Sequence, residues 1–529
     1  MTRTDDIIDG GQGGAFGRSG SPARSILLEH PVGALALLCL LQIVFWTALP
    51  ALVDVGPPRD VAEGFMWGRE WVLLTYKHPQ LPAWLLETSH LLTGSFRWPQ
   101  FLLSQLMISA TFVFVYLLAS DMLGRTRALA AVLLLPSIYL FGWSGTQFNH
   151  DTAQMPFWAA IAWLLWRAGR GDGPGWWLAL GVVAGVGIYA KFSTAMLIGF
   201  GGFWILYDAR ARAQLATPWP WLGLAIFIGL VTPVVIQLVR IDFLPFSYAA
   251  ERDQWVLANR ARLYYIGVQA AEMAGMFIVL GICGLLSKKR QPEAVPVLER
   301  RALVYLLWMG LGPAVLTMIA SLFVGIGEAW GTPMYNLVGV VAIALLGRNL
   351  GAVELRKLAI CAAVFIIGVS TYYAASAWAG CNLFGKLQPV CWPARTISEK
   401  AEAVWHEQVS GPLGIVAGDA DLATLAGLNA KDKPSIFTEL NYRFAPWITP
   451  QRLREQGMLL VWRTGTNAPP EAADWIKDRP VKTVLLDWSL KARPISLSFV
   501  VVPPGTEPPD ASSTSPGNAE SAPANAPKL

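Results

Sequence analysis

The feature that most constrains the fold of this chain is a series of eleven apolar blocks separated by short polar segments. Only 15% of the residues are charged, whereas soluble domains carry about 25%. Most blocks approach the roughly 20 residues that a helix needs to cross a bilayer. The blocks cover residues 33–52, 99–121, 128–146, 153–168, 175–190, 192–207, 219–239, 263–286, 302–324, 334–347 and 358–379. The pattern predicts a mainly α-helical, polytopic membrane bundle of about 11 transmembrane helices.

The basic residues predict how this bundle is oriented. With the N-terminus inside, the outer breaks at 147–152 and 325–333 contain no Lys or Arg, as the positive-inside rule requires. The inner breaks then carry Arg125, Arg127, Arg167, Arg170, Arg210, Arg212, Lys288, Lys289, Arg290, Arg300, Arg301, Arg348, Arg356 and Lys357. We therefore expect a multi-pass protein of the bacterial inner membrane, with a cytoplasmic N-terminus and a periplasmic C-terminal part. The dispersed charge predicts no nucleic-acid surface.

The polar segments divide the remainder of the chain. Residues 1–26 are expected to be disordered in the cytoplasm, and residues 27–379 form the transmembrane domain with a first outer loop at 53–98. Residues 380–503 alternate short β-like runs with helical stretches, which predicts a small periplasmic α/β domain. Residues 504–529 are rich in Pro, Ser and Ala and are expected to be disordered.

Two of the five cysteines, Cys381 and Cys391, lie close together in a polar stretch after the last block. In an oxidising periplasm they could form a disulfide. The other three lie inside apolar blocks, where Cys acts as a small hydrophobe.

Acidic residues in two outer segments are the first candidates for chemistry. Asp60 and Glu63 lie in the first outer loop, and Asp151 lies where the fourth block begins. Paired carboxylates there could act as a general base or hold a divalent cation. Alternatively, Asp151 and Thr152 could simply cap the helix that starts there.

Cationic side chains lie on the same predicted side of the membrane: Arg59, Lys77, His78, Lys191, Arg252, Arg260 and Arg262. Lys191 stands between two apolar blocks, with only Ser193 and Thr194 as polar neighbours. It could snorkel to the bilayer surface or contact a phosphate leaving at the bilayer edge. Nearly all charges lie at the ends of the spans, which favours surface chemistry over transport.

Four motifs in these segments resemble those of GT-C class membrane glycosyltransferases. The nearer match is the branch with protein O-mannosyltransferases, aminoarabinose transferases of lipid A and rhizobial galacturonosyltransferases. The motifs are Asp60 followed by Trp67, residues 76–84 (YKHPQLPAW), residues 150–159 (HDTAQMPFWA) and residues 190–194 (AKFST).

This resemblance implies an enzyme that transfers a sugar from a polyprenyl-phosphate donor to an envelope glycolipid, polysaccharide or protein outside the membrane. The implied reaction is one inverting displacement, with Asp60 as the base and Asp151 supporting it. The residues implied near the donor phosphate are His78, Lys191, Arg252, Arg260 and Arg262.

The sequence departs from the family pattern at two positions. Val61 replaces the usual Glu, and Lys77 stands where an acidic residue often occurs. Both changes remove candidate metal ligands, so no obligatory metal site is expected from those positions. A divalent metal stays possible if Glu63 or His150 compensates.

Two further segments are candidates for the edge of the site. Residues 328–335, which include Glu328 and Tyr335, resemble a family segment at the cavity mouth, although their aromatics could equally be interfacial anchors. Residues 418–421 and 441–443 of the C-terminal domain are expected to help cover the acceptor site without supplying a catalytic residue.

Two other functions fit the same composition. One is a transporter or flippase of lipid-linked sugars, and the other is a non-catalytic subunit of envelope assembly. A transporter predicts that Asp60→Ala leaves the turnover of the lipid-linked donor intact. An assembly subunit predicts that neither Asp60→Asn nor Lys191→Ala matters if folding is preserved.

Overall fold

The computed structural model describes residues 26–287, 298–489 and 494–508. The segments expected to be disordered, 1–26 and 504–529, fall almost entirely outside these ranges. The basic residues Lys288, Lys289 and Arg290 lie outside them as well.

The transmembrane part is built from helices. In chain order they are α1 Ile26–Glu29, α2 Pro31–Val53, α3 Arg59–Arg69, α4 Leu81–Thr93, α5 Pro99–Leu123, α6 Arg125–Leu133, α7 His150–Arg170, α8 Pro174–Ala190, α9 Thr194–Tyr207, α10 Ala209–Gln214, α11 Trp219–Arg240, α12 Leu244–Asn259, α13 Tyr264–Glu272, α14 Ala274–Ile282, α15 Arg300–Ala320, α16 Val338–Leu346, α17 Ala352–Val364 and α18 Ser370–Asn382. Short 3-10 turns follow α6, and a 3-10 helix at Glu328–Tyr335 precedes α16. A mainly helical membrane bundle is thus confirmed.

The expected number of spans is not confirmed. Within the described ranges, six helices are long and apolar enough to cross a membrane, or up to eight if two bent pairs each count as one span. The block at 128–146 bends by 83° after Ser137, because Pro136 has no amide hydrogen and its ring blocks a continuing helix. The segment before α16 bends by 52°. Apolar composition marks these blocks but does not reveal such breaks.

The C-terminal domain contains a five-stranded sheet. Its elements are α19 Ala394–His406, β1 Ile415–Gly418, α20 Ala420–Leu428, β2 Ser435–Thr438, α21 Pro450–Gln456, β3 Met458–Arg463, α22 Ala473–Ile476, β4 Lys482–Leu486 and β5 Ile495–Val502. The strand order is β2-β1-β3-β5-β4, with β2, β1 and β3 parallel and the other pairings antiparallel. The predicted small α/β domain is present.

This domain packs directly on the segment at residues 53–98. Val61, Phe65 and Met66 of α3 share one hydrophobic core with Leu422 and Ala426 of α20. The contact buries side chains from both parts of the chain, which favours a fixed arrangement through the hydrophobic effect. Helix α3 is therefore held between the membrane bundle and the C-terminal domain.

The segment that leads into α3 is held by the turn after α18. Cys381 and Cys391 are joined by a disulfide with a Cα–Cα distance of 5.6 Å. The carbonyl of Val390 accepts hydrogen bonds from the amides of Val55 and Gly56, at 2.9 and 3.2 Å. These contacts fix the chain a few residues before Asp60.

Candidate active site

The predicted site residues meet around one cavity of about 450 Å³ at one end of the bundle. It lies among α3, the chain after it, the start of α7, the α8–α9 junction, α12 and the 3-10 helix at Glu328–Tyr335. Of the predicted residues, the lining includes Asp60, Glu63, Lys77, His78, His150, Asp151, Lys191, Arg252, Arg260 and Glu328. Sequence positions far apart therefore contribute to one chamber.

Arg262 and Tyr335 do not line this cavity. Arg262 donates to the carbonyl of Leu322 at 3.0 Å and lines a small neighbouring depression. Tyr335 is buried behind the cavity wall. Arg59, also named from the sequence, is likewise not among the described residues that line the cavity.

Asp60 lies in the first turn of α3, after Pro57 and Pro58. Its side chain is open to the cavity, and within the described ranges its carboxylate makes no hydrogen bond or ion pair. Enclosure by the surrounding protein, followed by the nearby negative charge of Glu63, raises the pKa of Asp60. A raised pKa makes this carboxylate a better proton acceptor.

Glu63 lies on the same helix but is held by cations. Both of its oxygens accept from Lys77 Nζ, at 2.9 and 2.8 Å, and Arg59 Nε lies 3.5 Å from one of them. Burial opposes charge on Glu63, but Lys77 and Arg59 outweigh it and hold the pKa of Glu63 below its usual value. Glu63 is therefore a fixed anion.

Lys77 is enclosed by aromatic rings. Its Nζ lies 5.5, 5.2 and 5.6 Å from the ring centroids of Trp67, Tyr76 and Tyr248, within the range of cation–π attraction. Lys77 thus neutralises Glu63 from a rigid position. Sequence reasoning missed Tyr248, because no motif marks it.

Asp151 does not cap its own helix, because Asn149 does so, and its side chain is therefore available for an ion pair in the cavity. The side-chain oxygen of Asn149 accepts from the amides of Asp151 and Thr152, at 2.9 and 3.1 Å. Asp151 Oδ1 instead lies 2.6 Å from Lys191 Nζ. Lys191 is only 7% exposed, with its ammonium 5.9 Å from the ring centroid of Trp330. The Lys191 side chain therefore lies in the cavity wall. The snorkelling alternative predicts an ammonium that extends to the bilayer surface, and the structure does not show this.

Two histidines form the floor between these charges. The rings of His78 and His150 lie 4.2 Å apart, and His150 Nε2 lies 3.0 Å from the carbonyl of Pro79. Burial, and then the nearby His150 and Lys191, depress the pKa of His78 well below its usual value. His78 is therefore neutral at physiological pH and can offer a hydrogen bond, not a charge.

Two further cations line the cavity: Arg252 in α12 and Arg260, which directly follows that helix. Arg252 lines the cavity and makes no ion pair or hydrogen bond within the part of the chain that the structure describes. Arg260 lies over the ring of Tyr264, 4.6 Å from its centroid. Arg252 is therefore a cation that an anion inside the cavity can contact.

The donor set does not suggest a metal centre. No group of three or more His, Cys, Asp or Glu side chains among residues 26–287, 298–489 and 494–508 is arranged to hold a metal ion. Glu63 is occupied by Lys77, and His150 faces the Pro79 carbonyl. Neither side chain is therefore free to replace the missing ligands.

The fold resembles the architecture of the GT-C membrane glycosyltransferases. Residues 77–237 match the family model described as dolichyl-phosphate-mannose-protein mannosyltransferase. No curated protein matches the chain significantly.

Two solved structures give the particular comparison. Both are of ArnT from Cupriavidus metallidurans, one bound to undecaprenyl phosphate and one in the apo state. The first has a TM-score of 0.60 at 14% identity, and the second has 0.59 at 13%. Each alignment covers 88% of this chain and 98% of that chain. The resemblance in fold expected from the loop motifs is thus confirmed.

Proposed function

We propose that this protein is an integral membrane glycosyltransferase, which transfers a sugar from a polyprenyl-phosphate donor to an envelope acceptor at the periplasmic face. The observation that carries the proposal is that one cavity is lined by both the Asp60 carboxylate and the Arg252 guanidinium, neither of which has a hydrogen-bond or ion-pair partner among the described residues. The cavity therefore contains both a proton acceptor, Asp60, and a cation that can bind a phosphate, Arg252.

The donor carrier is argued from this charge and from the fold. A polyprenyl phosphate would place its phosphate at the bilayer edge, where Arg252 and Lys191 can stabilise it. The similar ArnT was solved with undecaprenyl phosphate, so this lipid is the natural first probe.

The chemistry requires one displacement. The acceptor hydroxyl oxygen forms a bond to the anomeric carbon while the bond from that carbon to the phosphate oxygen breaks, and the electron pair leaves with the phosphate. Asp60 accepts the hydroxyl proton, and the cations stabilise the charge that develops on the leaving group. Asp151 orients Lys191 through their ion pair. Attack from the side opposite the phosphate inverts the anomeric centre.

The acceptor class is left open among an envelope glycolipid, a polysaccharide and a protein. Each of these acceptors offers a hydroxyl or amine from which Asp60 can accept a proton.

Reconstitution tests the proposal. The protein is placed in liposomes with undecaprenyl phosphate carrying mannose, galacturonate or aminoarabinose in turn, and with envelope lipid from cells that lack the protein. Mass spectrometry follows free undecaprenyl phosphate and the gain in acceptor mass. We expect both to appear with one donor and to vanish with Asp60→Asn.

The flippase alternative predicts a different result. It requires intact donor to move between leaflets without release of free undecaprenyl phosphate, and Asp60→Asn would not change donor consumption. Either finding, with every donor tested, would overturn the proposed transfer.

A further inference from the structure

The C-terminal domain contacts the candidate site through a chain of alternating charges. Arg59 Nε lies 2.9 Å from Asp421 Oδ1 of α20 and 3.5 Å from Glu63 Oε1, and Glu63 is bound in turn by Lys77. Asp421, at the start of α20, is thus joined to the buried Glu63–Lys77 pair through one guanidinium.

Helix α20 lies beside α3 along its length. At their first turns, Arg59 pairs with Asp421. At their ends, Arg69 donates to the carbonyls of Gly427, at 3.0 Å, and Leu428. Cations that bind the free carbonyls at a helix C-terminus are favourable. The two helices therefore run in the same direction and are fastened at both ends.

The Arg59–Asp421 ion pair by itself contributes little to the stability of the folded state. The side chains of Arg59 and Asp421 are 47% and 51% exposed, and exposed ion pairs contribute at most about 1 kcal/mol. The shared core of α3 and α20 already holds the helices together. The main effect of the pair is instead to fix the position of the Arg59 guanidinium.

Arg59 directly precedes Asp60, so three carboxylates surround its long side chain: Glu63, Asp421 and Asp60. In the structure it is held by Glu63 and Asp421, and among the described residues Asp60 has no hydrogen-bond or ion-pair partner. An Arg that settled on Asp60 would favour its charged form and occupy the oxygen that must accept a proton.

We propose that Asp421 is a positioning residue: it holds Arg59 away from Asp60 and so keeps the Asp60 carboxylate free to act as the base. The proposal rests on the proposed function, because it assigns the base to Asp60. It goes beyond that function because it gives the C-terminal domain a role in catalysis, in addition to the expected role of covering the acceptor site.

Other charged and titratable groups around Asp60 must be held constant in a test. They are Arg59 and Glu63 on its own helix, Lys77 and His78 after it, His150 and Asp151 at the start of α7, Lys191, and Arg252 on α12. None of them is altered by a substitution at Asp421.

The test uses the full-length protein in the liposome assay described above, with kcat, KM and the pH profile measured. For Asp421→Asn we expect kcat to fall about tenfold, with KM for the lipid-linked donor nearly unchanged. The acidic limb of the profile should move to lower pH, because a released Arg59 favours the charged Asp60. Asp421→Glu, which keeps the negative charge, should have kcat and an acidic limb close to those of the parent. Glu399→Gln, which breaks an exposed pair with Arg395 on the same domain, is the matched control and should behave like the parent.

A double variant separates positioning from general damage. If Asp421 acts through Arg59, Asp421→Asn should cause no further loss in an Arg59→Gln background. Additive losses, a parental pH profile in Asp421→Asn, or lower thermal stability without rescue by Asp421→Glu would each overturn the proposal. These outcomes differ from failure of the proposed function, in which the parent shows no transfer or Asp60→Asn retains it.

Discussion

Asp60 and Glu63 lie on one helix, yet their surroundings shift the two pKa values in opposite directions. Glu63 is neutralised by Lys77 and Arg59, which lower its pKa, while enclosure and the Glu63 charge raise the pKa of Asp60. Two carboxylates with separated pKa values usually have separate tasks. Here one is a fixed anion and the other is available for a proton.

The raised pKa of Asp60 predicts a stability change. When the folded-state pKa is above the unfolded one, the folded state binds the proton more tightly, so charged Asp60 costs stability at neutral pH. Asp60→Asn should therefore raise the midpoint of thermal unfolding at pH 7 while abolishing transfer. The gain should shrink as the pH falls and Asp60 becomes protonated in the parent protein. An equal midpoint for variant and parent at every pH would contradict this.

Lys191 gives a second prediction. Removing its ammonium leaves Asp151 without a cation, and breaking one side of a buried pair costs up to about 3–5 kcal/mol. Lys191→Ala should reduce the transfer rate about 100-fold and lower thermal stability, while Lys191→Arg should retain part of both. Lys400→Ala, at an exposed position on α19, is the control. Parental activity in Lys191→Ala would exclude Lys191 from the site.

Much of this chamber could be predicted at the residue scale. Asp60, Asp151 and Lys191 were identified by their types and by the loops that carry them, and the structure places all three around one cavity. The Arg59–Asp421 contact could not be predicted, because it joins distant segments and neither residue belongs to a motif. The role of Asn149 as the cap was missed since Asp151 is an equally good capping residue.

At the scale of elements, α3 depends on the turn that follows α18. The Val390 carbonyl binds the amides of Val55 and Gly56, and the Cys381–Cys391 disulfide closes the loop that carries this carbonyl. A Cβ on Gly56 would lie only 2.4 Å from the carbonyl oxygen of Trp392. Only glycine fits this approach without moving the backbone.

Gly56→Ala should therefore displace the start of α3. We expect about a tenfold or greater loss of transfer, since a shift of about 1 Å at a catalytic group can cost 100-fold. Gly202→Ala in the apolar helix α9, where an added Cβ meets nothing within 4 Å, is the control. Steady-state rates of the two variants check this, and equal rates would show that the turn does not position Asp60.

The elements themselves were predicted unevenly. Apolar blocks located the helices, because periods of apolar sequence reflect burial in lipid or protein. The bends near Pro136 and before α16 depend on how neighbouring helices pack around the broken backbone. Block length alone predicts about 11 spans, and the structure does not confirm that number.

At the scale of the whole molecule, the orientation is still a prediction from charge placement. It can be tested in a variant whose free cysteines, Cys39, Cys283 and Cys361, are replaced by serine. We expect a membrane-impermeant maleimide to label Lys400→Cys in cells with a permeabilised outer membrane. Ala213→Cys, in a predicted inner break, should react only after the inner membrane is opened. The reverse pattern would place the cavity in the cytoplasm and contradict the proposed site of transfer.

The most direct measurement is mass analysis of envelope lipids and glycans from cells that lack this protein, complemented with the parent chain or with Asp60→Asn. Sugar transfer at the Asp60 cavity predicts that a glycosylated species is lost in the deletion, returns with the parent chain and stays absent with a stably inserted Asp60→Asn variant. Restoration by Asp60→Asn, or an envelope unchanged by the deletion, would contradict it.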